Sequence, residues 1–149
     1  VPAGGGGLIG GIGLAAHAIE PRVTVVGVQS TASPALHAVL AHGAGTTVEV
    51  KPSLADGLAG NIETGSITVE LLQRHVREIL MVEEPQIAAA MRWLLDHEHV
   101  LVEGSAAVGV AAVQSLKDGP GLEGPVVVVL TGRNVAASVL QQYVLGQTA

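Results

Sequence analysis

The chain has 149 residues and a formal charge of −6, from seven basic and thirteen acidic side chains. No basic cluster breaks that balance, which excludes nucleic acid as the expected partner, and the absence of cysteine excludes disulfides and thiolate metal sites. The length suits one domain with a real core, and the 48% apolar fraction rests on Val, Ala, Leu and Ile, with one Trp, one Tyr and no Phe.

Val1-Pro2-Ala3 leads into Gly4-Gly5-Gly6-Gly7 and then into an apolar run of helical spacing over 8–19, a pattern of strand end, tight loop and helix start. Four glycines present their N–H groups without Cβ obstruction and can take positive φ, so the loop can wrap its amides around an anion. The helix beginning at Leu8 adds free N–H groups and the positive end of its dipole. Phosphate is the natural ligand, and replacing Gly5 or Gly6 by Val is expected to weaken its binding while leaving the fold intact. The run 8–19 is broken by Gly10, Gly11, Gly13 and His17 and falls short of the roughly 18 residues a spanning helix needs. No membrane partner and a cytoplasmic location are therefore expected.

Pro21 ends this helix ahead of an apolar strand at 23–28. Ser33-Pro34 reads as N-cap and first helical residue of a helix over 35–41. A short strand is expected at 46–50, then a loop over 51–65 with one turn at Ala55-Asp56-Gly57, the kind of segment that carries function. A helix at 67–75 precedes a strand at 79–82. Glu83 and Glu84 place acids at the first turn of a helix over 86–96, where the dipole favours them. A strand at 100–102 follows, then a small-sided helix over 106–116 that Ser105 can cap. Asp118-Gly119-Pro120-Gly121 is a turn cluster, and 126–130 is the strongest pattern for a buried strand. Thr131-Gly132-Arg133-Asn134 then precedes a last helix of about ten residues. The alternation predicts a doubly wound α/β layer, a mostly parallel sheet with helices on both faces, whose ligands bind at the carboxyl ends of the strands.

Gly5-x-Gly7-x-x-Gly10 also satisfies the dinucleotide fingerprint, which would make the chain part of an oxidoreductase. That fingerprint wants an acid at the end of the second strand, where this chain has Gln29-Ser30.

Four motifs in order, Val1-Pro2-Ala3-Gly4-Gly5-Gly6-Gly7-Leu8, Leu54-Ala55-Asp56-Gly57, Val102-Glu103-Gly104-Ser105-Ala106 and Val129-Leu130-Thr131-Gly132-Arg133-Asn134, resemble those of the threonine dehydratase and serine racemase family. These are pyridoxal-phosphate enzymes of the tryptophan synthase β-like fold. The resemblance covers nearly the whole chain but only the carboxyl-terminal half of such an enzyme, the later part of its large cofactor-binding domain. The chain also opens without an initiator methionine, as a piece of a longer protein would.

The resemblance implies that Gly4 to Gly7, with Leu8, hold the cofactor phosphate. It implies that Thr131, where serine is common, gives its hydroxyl to the pyridine nitrogen. A neutral partner makes a moderate electron sink, suited to loss of a β-hydroxyl. Glu103 is implied to lie near the ring, with Gly104 in place of the family proline. Asp56 and Gly57 match a turn flanking the site, and Gly132 follows Thr131. Arg133 departs from the usual glycine, and Asn134, though it matches a family asparagine, stands where a helix N-cap belongs.

Some relatives bind a divalent cation through acids at positions matching Gln29 and Ala35, so no metal is expected there. Asp96-His97-Glu98-His99 has ligand types but lies at a helix end, where a solvated group is the simpler reading. The family's cofactor lysine belongs to the missing amino-terminal half, and neither Lys51 nor Lys117 has its context, so this chain is expected to hold no catalytic residue of its own. The expected activity of the complete protein is dehydration and deamination of L-threonine, L-serine or a similar β-hydroxy amino acid. Racemisation is the alternative within the family, and a non-catalytic assembly module, pairing with itself or with a complementary chain, is the alternative outside it. The sequence stops 18 residues after Thr131, so an amino-acid-sensing domain of the kind biosynthetic relatives carry is not expected if that is the natural end.

Overall fold

The computed structural model describes residues 1–116 and 124–146. Lys117 and the turn cluster at Asp118 to Gly121 lie outside them.

Two strands, β1 (Val26–Ser30) and β2 (Glu78–Val82), pair in parallel, with Val28 opposite Leu80. The first three residues run alongside β1 as well. Val28 N–H donates to the Val1 carbonyl at 2.9 Å and Ala3 N–H to the Val28 carbonyl at 3.0 Å, a parallel bridge at Pro2. The chain thus enters the glycine loop from the carboxyl end of a strand, as the sequence pattern requires.

Alternation along the strands sorts side chains to two cores. Ile79 and Met81 face a cluster with Ile9, Leu36, Val39 and Leu72, whereas Leu80 and Val82 face one with Ile87, Met91, Leu94 and Val108. Helices α1 (Gly7–Ile19), α2 (Ala35–His42) and α3 (Ile67–His75) therefore cover one face, and α4 (Glu84–His97) and α5 (Gly104–Ser115) the other. This is the predicted parallel α/β layering. Gly27 lets the layers close on β1, since a Cβ there would fall on Ile79, Ile9 and Ala3 side chains.

The helices follow the predicted ranges to within two residues, the strand expected at 79–82 is β2, and the one expected at 23–28 is β1, shifted toward its carboxyl end; the other expected strands are not formed. Segment 46–50 is not a strand: Val48 donates its N–H to Asn61 Oδ1 at 2.8 Å and accepts from Asn61 Nδ2 at 3.1 Å, so a side-chain amide takes the bonds a ladder would need. Segments 100–102 and 126–130 are not strands either. One backbone bond joins their neighbourhood, Glu103 N–H to the Gly132 carbonyl at 3.1 Å. Val126 and Val127 are 48% and 85% exposed. A continuous apolar run signals burial on both faces, but no residue of 126–130 is buried, and Val128 reaches the notch at Gly109 of α5.

Three caps also differ. Ser33 does not cap α2, whose N-cap is Pro34; its hydroxyl accepts from Gly60 N–H at 3.1 Å instead. Ser105 does not cap α5, because the chain turns helical at Gly104 with Glu103 as N-cap, which puts Ser105 inside the first turn. Asn134 is not a cap: the last helix, α6 (Ala137–Val139), has Ala136 as its N-cap and continues as a π-helical Leu140–Leu145. Arg133 takes its place without a left-handed backbone.

Candidate functional site at the carboxyl ends of the strands

The glycine loop is held from beneath. Gly6 is the N-cap of α1 with φ +87°, a conformation that suits glycine, and a Cβ on it would lie 2.7 Å from Leu72 Cδ1 and 2.9 Å from Thr68 Cβ. Thr68 Oγ1 donates to the Gly5 carbonyl at 2.9 Å, which fixes the loop to α3. Gly5 and Gly7 face the other way, and a Cβ on either would meet nothing within 4 Å. The expectation that Gly5 and Gly6 are equivalent is thus corrected: Gly6 is packed into the fold, and Gly5 borders open space.

That space is a cavity of about 250 Å³ lined by Gly4, Gly5, Gly6, Gly7, Leu8 and Thr131, among others. Gly57, Glu103 and Ser105 reach it from the opposite side, and Pro2, Ile9 and Leu58 supply apolar wall. The first turn of α1 points N–H groups that have no intrahelical partner toward this end of the molecule. Of the residues singled out in the sequence, Asp56 and Gly132 do not line the cavity. Exposed Asp56 uses Oδ1 to accept from Gly57 N–H at 2.8 Å and so shapes the turn. Gly132 lies behind Glu103, whose carboxylate fills the place a Cβ would take. Glu103 also accepts from Asn134 N–H at 2.9 Å, which ties the Thr131 segment to the start of α5.

Two residues escaped the sequence reading. Glu84 was expected to serve the helix dipole. It does stand in the first turn of α4, and its carboxylate also accepts from Ser30 Oγ at 2.6 Å, Ser53 Oγ at 2.7 Å and Leu54 N–H at 2.6 Å, clamping the Ala55-Asp56-Gly57 turn to the end of β1. The second is Ser105, 3% exposed, whose hydroxyl has no hydrogen-bond partner. The missed signal for Ser105 lies in register: a serine two residues into a helix cannot cap it.

At the position where some relatives carry a cation-binding acid, Gln29 is fully buried and accepts from His37 N–H through Oε1 at 2.9 Å. In the Asp96 to His99 group, Asp96 binds Arg92 at 2.6 Å and His97 stacks on Trp93 with centroids 5.2 Å apart. Lys51 lies near Glu49 at 3.8 Å and does not line the cavity. A second cavity, at the opposite ends of the strands, is lined by Arg22, Arg74 and Arg77, each with an acid within 4 Å: Glu20 at 2.9 Å, Glu70 at 2.5 Å and Glu78 at 3.7 Å. In an α/β layer the carboxyl-end cavity is the one positioned for a ligand.

The residues there suit a phosphorylated pyridine. Bare glycine backbone can approach an anion, apolar side chains can flank a flat ring, and hydroxyls at Thr131 and Ser105 can meet its polar edge. The Ser105 hydroxyl, buried and without a protein partner, is free to meet such a group.

Comparison with known proteins agrees with this chemistry. A family model described as pyridoxal-phosphate dependent enzyme matches residues 1–132. L-threonine ammonia-lyase of Thermotoga maritima is 40% identical over 144 residues, which cover 97% of this chain and 35% of that protein. The catabolic L-threonine dehydratase of Escherichia coli K12 is 34% identical over 143 residues, 95% of this chain and 43% of that one. Among solved structures, a threonine deaminase from T.th. superposes with TM-score 0.81 at 31% identity, over 91% of this chain and 45% of that one. Maize serine racemase superposes with TM-score 0.79 at 27% identity, over 95% and 44%. The chain therefore spans between about a third and a half of the length of these relatives. Over residues 1–132, from the glycine loop and the bridge that leads into it to the turn after Thr131, this chain belongs to the family of pyridoxal-phosphate dependent enzymes.

Proposed function

We propose that the protein to which this chain belongs is an ammonia-lyase that converts L-threonine, L-serine or a similar β-hydroxy amino acid to a 2-oxo acid and ammonia. The chain is read as the carboxyl-terminal part of its cofactor-binding domain. The observation that carries this reading is the convergence of the Gly4 to Gly7 loop, Glu103 and Thr131 on one cavity at the carboxyl ends of the strands.

Pyridoxal phosphate, when bound, supplies the electron sink that labilises the bonds at an amino acid's α-carbon. This chain's part is to hold and tune it. The N–H groups of the glycine loop and of the first turn of α1 take the phosphate, with the dipole of α1 favouring the negative charge. Thr131 offers the ring nitrogen an uncharged hydroxyl. It thereby keeps that nitrogen unprotonated and favours elimination of a β-hydroxyl over reactions needing a stronger sink. Glu103 holds the Thr131 segment in place through the Asn134 N–H. Asp56 and Gly57 form the turn that flanks the site, with Glu84 anchoring it.

The α-proton is removed by a lysine outside this chain, so the isolated chain is inactive. Its exposed Val126, Val127 and Leu130 support pairing with an amino-terminal half. Combining the chain with such a half from a relative and assaying 2-oxo acid from L-threonine and L-serine tests the reading. Product from either substrate is expected. A fully cofactor-loaded complex that releases none and instead interconverts L- and D-serine would replace the lyase reading with racemisation.

A further inference from the structure

Ser105 stands apart from every other hydroxyl described. It sits at the second position of α5, is 3% exposed, and its Oγ makes no hydrogen bond within the protein. Its neighbours explain why none comes from the protein. A Cβ on Gly57 would be 2.9 Å from Ser105 Oγ and 3.7 Å from Glu103 Oε1, so bare glycine leaves both oxygens facing the same gap. The residue before it, Gly104, is pressed against the Leu54 carbonyl, which fixes the start of α5. An unpartnered buried hydroxyl carries a standing cost that an arriving polar group removes.

Three polar side chains line the cavity, Glu103, Ser105 and Thr131. An unprotonated pyridine nitrogen is only an acceptor. The carboxylate of Glu103 is also only an acceptor and cannot serve it, whereas a hydroxyl can. Thr131 is exposed and must give up solvent to bind; the buried Ser105 hydroxyl has little to give up. We propose that Ser105 is a cofactor-binding residue whose hydroxyl donates to the pyridine nitrogen, sharing the one lone pair of that atom with the Thr131 hydroxyl. The assignment rests on the reading of the cavity as a pyridoxal-phosphate site and adds to it a residue that pattern alone assigns to helix capping.

The test compares the parent complex with Ser105→Ala, using pyridoxal phosphate and its 1-deaza analogue, which carries C–H at the nitrogen position. For pyridoxal phosphate, Ser105→Ala is expected to weaken binding about three- to tenfold, the effect of losing one hydrogen bond. For the deaza analogue, parent and variant are expected to bind alike. Without cofactor, the variant is expected to melt at the same temperature as the parent or higher, because it removes a buried group that had no partner. Equal affinity of parent and variant for pyridoxal phosphate would overturn the assignment. So would an equal loss on both ligands, or a variant that melts lower or fails to fold without cofactor, since each gives Ser105 a different role. A parent complex that binds neither ligand would overturn the functional reading itself, and this assignment with it.

Discussion

The glycine loop and the segment 124–135 both border the cavity, yet they are held in opposite ways. The loop is fixed from within the chain: it leaves a bridged strand, packs Gly6 onto Leu72 and Thr68, and begins a helix whose Ile9 is fully buried. The later segment is also apolar, and its contacts with the rest include the Glu103 to Gly132 bond, the Asn134 to Glu103 bond, Val128 against α5 and Val135 against the core of α4 and α5. One region carries its own partners, and the other presents a surface for them. A phosphate site can therefore be preformed in this chain, while the Thr131 side of the site depends on what covers the segment.

Substitutions can break or sharpen that contrast. The largest effect is expected from Gly6→Val, which combines a positive φ with two contacts under 3 Å. Strain and overpacking together should cost about 2–5 kcal/mol, read as a lower urea midpoint. Next comes Glu84→Ala, which leaves two hydroxyls and the Leu54 amide without their acceptor. A loss of about 2–3 kcal/mol is expected, with faster hydrogen exchange at Leu54 and Gly57. If exchange there is unchanged, Glu84 is not the clamp on the turn. Val127→Glu should be the smallest in stability, within about 0.5 kcal/mol of the parent, since the side chain is 85% exposed. It should nevertheless reduce pairing with an amino-terminal half, measured by sedimentation. A large destabilisation of the unpaired chain would mean that the segment is already part of this chain's own core.

The same contrast decides what could be read from sequence. Helices over 7–19, 67–75 and 84–97 were legible because their signals are local: apolar spacing, Ser66 ahead of α3, Pro85 in the first turn of α4. The expected strands at 46–50, 100–102 and 126–130 failed because a strand exists only with a neighbour, and an apolar run does not say whether one is present. Asn61, thirteen residues away, took the bonds of Val48. Gly4, Gly5, Gly6, Gly7, Leu8, Gly57, Glu103 and Thr131 were legible as candidates through ordered motifs, and the fold brings them to one cavity. Glu84 does stand in the first turn of α4, as expected, but its tertiary role was not legible because its partners lie 30 and more residues away and leave no local trace. Ser105 was misread because the start of α5 fell one residue earlier than Ser105 itself, which turned an apparent cap into a buried donor.

The most direct test of the phosphate site is Gly5→Val, because Gly5 borders the cavity and a Cβ there meets no protein atom within 4 Å. Pyridoxal phosphate is titrated into the parent and variant complexes, and both are melted without cofactor. A preformed anion site predicts that affinity falls about tenfold to a hundredfold, through the space the side chain takes from the anion, while the melting temperature of the cofactor-free form hardly changes. Unchanged affinity in a variant that folds like the parent would contradict the phosphate cradle.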